Sequence, residues 1–132
     1  MSTTSSTTIN DIAVAMFTVS DQDAAIAFYT QKLGFELRGD QSFGEGDQSG
    51  RWVEVAPPGS AARLALNPPM GGEPGGGSIG VETPDLDAEH ERLRAIEGVD
   101  VDAEIIAPPG APRMFSLRDP DGNYIWVVGR DA

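Results

Sequence analysis

The chain contains no cysteine and a single histidine among its 132 residues. It also has no apolar run near the roughly 20 residues that a membrane-spanning helix needs. Without cysteine there are no disulfides, thiolate zinc sites or thiol nucleophiles. One histidine leaves Ser-His nucleophilic schemes and imidazole-rich metal sites little to draw on. Basic residues are few: 9 Lys and Arg stand against 21 Asp and Glu, a formal charge of −12. Such a surface repels phosphate backbones and anionic bilayers, so neither nucleic acid nor a membrane is an expected partner. The missing disulfide chemistry fits a reducing compartment, and a cytoplasmic location is expected. Residues 1–8 lie in a Ser/Thr-rich stretch without Lys, Arg or an apolar core, which reads as a disordered tail rather than a secretion signal.

What is present is ordinary globular material, 39% hydrophobic and 23% charged, in a length that suits one domain. From Ile9 the chain turns apolar and β-prone through Val14, Met16, Phe17 and Val19, a buried strand. Ser20 then precedes Asp21, Gln22 and Asp23, which reads as a helix cap with acids in the first turn. The helix carries Ala25, Phe28, Tyr29 and Leu33 on one face and stops at Gly34. Short strands are expected at 35–38, 52–55 and 63–66, with a polar loop over 41–50 and a turn at Pro57, Pro58 and Gly59. Residues 68–77, rich in Gly and Pro, read as a linker. They are no phosphate-binding loop, because no Lys-Ser or Lys-Thr follows them.

After the linker the order repeats. A strand over 79–82 leads to a helix, with Thr83 as its cap, Pro84 at its first position, an apolar stripe of Leu86, Leu93 and Ile96, and an end at Gly98. Strands are expected over 99–106, 113–117 and 124–128, with Asp119 to Asn123 as the last turn. Asp21, Asp23, Ala24 and Gly34 stand 64 positions before Asp85, Asp87, Ala88 and Gly98. An internal repeat with so few units implies two modules that pair, 9–67 and 78–132. His90, beside Glu89 and Glu91 on or near the helix stripe, reads as a half-buried helix residue and not a catalytic one.

The segments Val19-Ser20-Asp21 to Ala27-Phe28-Tyr29, Leu33-Gly34-Phe35 and Asp119-Pro120-Asp121-Gly122-Asn123 with Ile125 resemble the vicinal oxygen chelate superfamily. Glyoxalase I, bleomycin-resistance proteins and extradiol dioxygenases belong to it. The resemblance spans residues 9–129 and implies an α+β fold: two tandem βαβββ modules forming a curved mixed sheet around a concave pocket, helices on the outer face. Metal-using members draw one ligand from each of four strands. The matching positions here are Val14, Ala65, Ser78 and Trp126, of which only Ser78 offers any donor, and a poor one. No metal and no other cofactor is therefore expected.

If those four positions face the hollow, strand alternation assigns the rest. Met16, Thr18, Trp52, Glu54, Ser78, Glu82, Met114, Ser116, Tyr124 and Trp126 are the expected ligand-binding residues. Phe17, Val19, Val53, Val55, Phe115, Leu117, Ile125 and Val127 then pack under the helices. Such a lining suits an aromatic or cationic organic molecule. The first expectation is a metal-independent binding or sequestering protein of the glyoxalase/bleomycin-resistance type. The alternative is a metal-independent isomerase or lyase, with Glu54 or Glu82 as a general base whose pKa the apolar surroundings raise. A metal-dependent glyoxalase or dioxygenase comes third. Exposed edges of a curved sheet favour a homodimer, and the sequence leaves open whether modules pair within a chain or between chains.

Overall fold

A computed structural model describes residues 6–69 and 73–130. The tail and linker expectations at 1–5 and 70–72, and the chain's last two residues, lie outside the described residues. The elements run β1 (Val14–Thr18), α1 (Gln22–Ala27) continued by a π-helical turn (Phe28–Lys32), β2 (Glu36–Phe43), a 3₁₀ turn (Gly46–Gln48), β3 (Gly50–Ala56) and β4 (Arg63–Asn67). They continue as β5 (Ser78–Thr83), α2 (Leu86–Arg94), β6 (Asp100–Val101), β7 (Met114–Arg118) and β8 (Tyr124–Gly129). Each half forms its own four-stranded sheet, in the orders β1-β4-β3-β2 and β5-β8-β7-β6. In both, the first strand pairs in parallel with the last and the remaining ladders are antiparallel. The architecture is the α+β pair of βαβββ modules that the repeat implies.

Several elements differ from the sequence reading. The helix caps are Asp21 and Asp85 rather than Ser20 and Thr83: their carboxylates accept from Ala24 N (3.0 Å) and Ala88 N (3.1 Å). An aspartate at each site reaches the free amide three residues on, while the Thr83 hydroxyl only accepts from Asp85 N. Both helices end before a glycine in the left-handed region, Gly34 (φ 83) and Gly98 (φ 86). The strand expected over 99–106 shrinks to β6 and an isolated bridge from Ile106 to Met114, because Asp102, Ala103, Glu104 and the following prolines give the ladder little to bury. By contrast β2 runs to Phe43, well into the expected polar loop, carried there by pairing with β3. β1 begins only at Val14, where its pairing with β4 begins.

Phe17, Val19, Val53, Val55, Leu64 and Leu66 from the first sheet join Phe115, Leu117, Ile125 and Val127 from the second, with Phe28, Tyr29, Leu86 and Leu93 from the helices, in one buried cluster. A fully buried leucine or phenylalanine contributes about 1.5–3 kcal/mol, so this shared core binds the halves to each other. Polar bonds reinforce it: Arg92 donates to the Lys32 and Leu33 carbonyls, and Lys32 Nζ to the Glu97 carbonyl. Among the described residues no helix is long and apolar enough to cross a membrane.

Candidate functional site

Alternation along each strand leaves a second face on each sheet, opposite the core. On the first sheet the ladders align Met16, Ala65 and Glu54 in one row and set Val14 beside Arg63 and Thr18 beside Asn67. On the second they align Ser78, Tyr124 and Arg118, then Gly80, Trp126 and Ser116, then Glu82, Val128 and Met114. The ten expected lining residues thus fall into two groups, one per sheet. These faces border solvent, with Met16 59% and Tyr124 42% exposed. Trp52 and Trp126 are half-buried and Ser116 is buried.

The carboxylates on these faces are engaged. The Trp52 indole N–H donates to Glu54 Oε2 (2.8 Å), and Arg63 donates to Oε1 (3.0 Å). First the indole and then the guanidinium hold the Glu54 carboxyl below its ordinary range. This overturns the expectation of a raised pKa there: both oxygens are occupied, and the group stays ionised and weakly basic. Glu82 is exposed and accepts from Arg130 at 2.8 Å. Glu54, paired through both oxygens, is not placed as a free general base.

The second face holds a network that sequence reasoning missed. Asp102 Oδ2 accepts from the Ser116 hydroxyl (2.7 Å) and amide (3.1 Å), and Asp102 Oδ1 accepts from Arg118 (2.9 Å). Arg118 also forks onto both oxygens of Asp100 and lies 5.4 Å from the Tyr124 ring centroid. Burial works to raise the Asp102 pKa, but the bonds from Ser116 and Arg118 outweigh it and leave it lowered. Extending the Met114, Ser116 alternation by two residues would have found Arg118, whereas nothing local announces Asp102, which arrives by way of β6. His90 donates through Nε2 to the Asp102 carbonyl (2.8 Å) and packs on Phe115, so it pins the helix to this loop.

The four positions that align with metal ligands in the superfamily do not fit a divalent cation. Val14, Ala65 and Trp126 offer no lone-pair donor, and Ser78 offers only a neutral hydroxyl. Among the described residues no three of His, Asp or Glu come together as a metal-holding group. A large opening, about 880 Å³, is walled by residues of both sheets. Ile12, Ala15, Phe35, Leu64, Ile79 and Val81 line it, and of the ten expected residues only Glu82 borders it.

The family model of the Glyoxalase/Bleomycin resistance protein/Dioxygenase superfamily matches residues 9–127. The chain belongs to that superfamily. Among solved structures, TnmS3, an antibiotic binding protein from Streptomyces sp. CB03234, is similar at 33% identity and a TM-score of 0.80, with 94% of this chain and 98% of that one covered. The bleomycin-binding protein of Streptomyces verticillus, solved with copper(II)-bleomycin, is similar at 25% identity and a TM-score of 0.69, with 95% and 100% covered. Bacillus subtilis (strain 168) YetH, an uncharacterized protein, is 31% identical over 121 residues, 87% of this chain and 94% of its own length. The chain thus shares its fold with an antibiotic binding protein and a bleomycin-binding protein.

Proposed function

We propose that the protein is a metal-independent, cytoplasmic binding protein that holds or sequesters an aromatic organic molecule against the outer faces of its two sheets. The observation that carries the reading is the placement of Trp52 and Trp126, half-buried on those faces beside the Met16 and Met114 rows. Indole faces and thioethers suit a flat, polarisable ligand. Support comes also from the likeness to TnmS3, described as an antibiotic binding protein. Each face carboxylate is already matched by an arginine: Glu54 by Arg63, Glu82 by Arg130, Asp102 by Arg118. A neutral aromatic ligand is therefore favoured over a cation, which would have to displace an existing partner.

The chain has only these two tryptophans, so any change in indole emission reports on the proposed faces. Titration with a panel of neutral and cationic polycyclic natural products is expected to quench or shift that emission with saturation. A flat response across the panel would end the proposal. Elemental analysis of protein purified without chelator is expected to find no stoichiometric zinc, nickel, manganese or iron.

A further inference from the structure

Asn67 ends β4 on the outer face of the first sheet, two residues beyond Ala65 and beside Thr18 of β1. Its backbone is tied down: the Asn67 carbonyl accepts from Val19 N at 2.8 Å, and the preceding Leu66 carbonyl accepts from Gln22 Nε2 at 2.9 Å. The side-chain oxygen is not. Asn67 Oδ1 is buried and has no hydrogen-bond partner, the one such side-chain atom among the described residues. The cause is the end of a ladder. β3 and β4 pair at Glu54 with Ala65 and at Val55 with Leu64, and the same register carried two residues further would set Trp52 opposite Asn67. There the pairing has stopped, and Gln22 Nε2 bridges the Arg51 and Leu66 carbonyls instead. Thr18, on the other side, gives the amide oxygen no bond. An unpaired amide thus stands in the row between Thr18 and Trp52, on the face that carries this tryptophan.

We infer that Asn67 selects the ligand of the first-sheet face: its amide oxygen takes an N–H or O–H carried on the edge of an aromatic body that lies on Trp52. The inference rests on the proposed binding role and adds the ligand's class, an uncharged aromatic amine, phenol or lactam rather than a bare hydrocarbon. A buried acceptor without a donor costs the fold the hydration it has lost. A donor on the ligand removes that cost, whereas a methyl group in the same place leaves it standing. Discrimination then comes from the penalty on the wrong ligand as well as from the bond to the right one. The amide can meet the ligand because its terminal torsion is soft, and no bond to the oxygen opposes a turn that carries it outward. The neighbouring carboxylate is already committed: Trp52 and Arg63 occupy the two Glu54 oxygens.

Two flat, uncharged probes of one shape, 2-aminoanthracene and 2-methylanthracene, differ at a single position by an amine or a methyl group. Titrated against indole emission at neutral pH, the parent protein is expected to hold the amine about five- to tenfold tighter, the worth of one hydrogen bond. Asn67→Leu, close in size and without polar atoms, is expected to bind the two probes alike, the methyl compound no more weakly than the parent does. Asn67→Ala, which also empties space, is expected to level them in the same way. Without ligand, Asn67→Leu removes the orphaned oxygen, so its melting temperature is expected to rise by about 2–5 °C. A lowered melting temperature overturns the inference, because the oxygen then had a partner to lose. Saturation by both probes with no preference in the parent, or a preference that survives Asn67→Leu, overturns it too and leaves the binding reading standing. Saturation by neither probe, nor by any member of the aromatic panel, overturns the binding reading and this inference with it.

Discussion

The Tyr29 hydroxyl donates to Asp119 Oδ2 at 2.9 Å, tying the end of the first helix to the hairpin of the second half. Tyr29 is fully buried, Asp119 nearly so, and they are 90 residues apart in sequence. Asp119 also accepts from the Asp121 and Asn123 amides through Oδ1, and from Asn123 Nδ2 through Oδ2. The Asp-Pro-Asp-Gly-Asn turn that signals the superfamily is thus a joint between modules, and its polar groups are satisfied inward.

Removing that phenol is expected to cost stability. Tyr29→Phe leaves Asp119 one donor short in a buried place, a loss of about 1–3 kcal/mol in chemical denaturation. The pH dependence has a definite sign. Burial, then Asp119, raises the Tyr29 pKa above its ordinary 10.0, so the fold favours the neutral phenol. Its contribution is complete below that pH and is lost as pH rises beyond it, by at most about 1.4 kcal/mol per pH unit. The melting temperature of the parent is expected to fall more steeply above pH 10.0 than that of Tyr29→Phe; parallel curves would refute the assignment.

Asn123 makes a second joint. Its Oδ1 accepts from Gly77 N (2.9 Å) and its Nδ2 donates to the Thr18 carbonyl (3.1 Å), linking the start of β5 to the end of β1. Asn123→Ala strands the Gly77 amide and leaves the Thr18 carbonyl with Gly75 N alone, and about 1–3 kcal/mol should be lost. Hydrogen exchange is expected to quicken at Gly77 first, and unchanged protection there would contradict this role.

Glu54 titrates in the opposite sense to Tyr29. Its carboxyl is held below the ordinary 4.5 by Trp52 and Arg63, so its stabilisation is present above that pH and is lost as pH falls through the lowered value. At neutral pH Glu54→Gln is expected to cost about 0.5–1.5 kcal/mol. The gap between parent and variant should close on acidification below 4.5, as read by denaturant titrations across that range. A gap that widened in acid would show that the carboxylate is not held ionised.

The tryptophans separate binding from folding. Trp52→Ala and Trp126→Ala are each expected to weaken the best aromatic ligand of the panel about 10–100-fold, roughly 1.4–2.7 kcal/mol. Far-ultraviolet circular dichroism should stay unchanged, because neither indole belongs to the buried cluster. Full affinity in both variants, by calorimetry, would move the ligand away from these faces.

Much of the architecture was legible in the chain. The 64-residue offset between Asp21 and Asp85, and between Gly34 and Gly98, marks the duplicated helix, and alternation along 114–117 and 124–127 separates core from outer face. Both signals are local, set by side-chain period and by caps. The polar partners were not legible: Glu54 with Arg63, Asp102 with Ser116 and Arg118, Tyr29 with Asp119. Each depends on which strand lies beside which, or on how one half packs on the other.

By itself the sequence determined the repeated βαβββ order, the two faces of the longer strands, and, through its resemblance, four strand positions at which only Ser78 carries a donor. Only the tertiary structure decided that Glu54 is a paired, acidic carboxylate and that the halves share one core while their outer faces stay apart. The physical reason is range. A strand's period and a helix's cap are fixed by neighbours within a few residues, whereas a side chain's charge state depends on whatever the fold sets a few ångströms away.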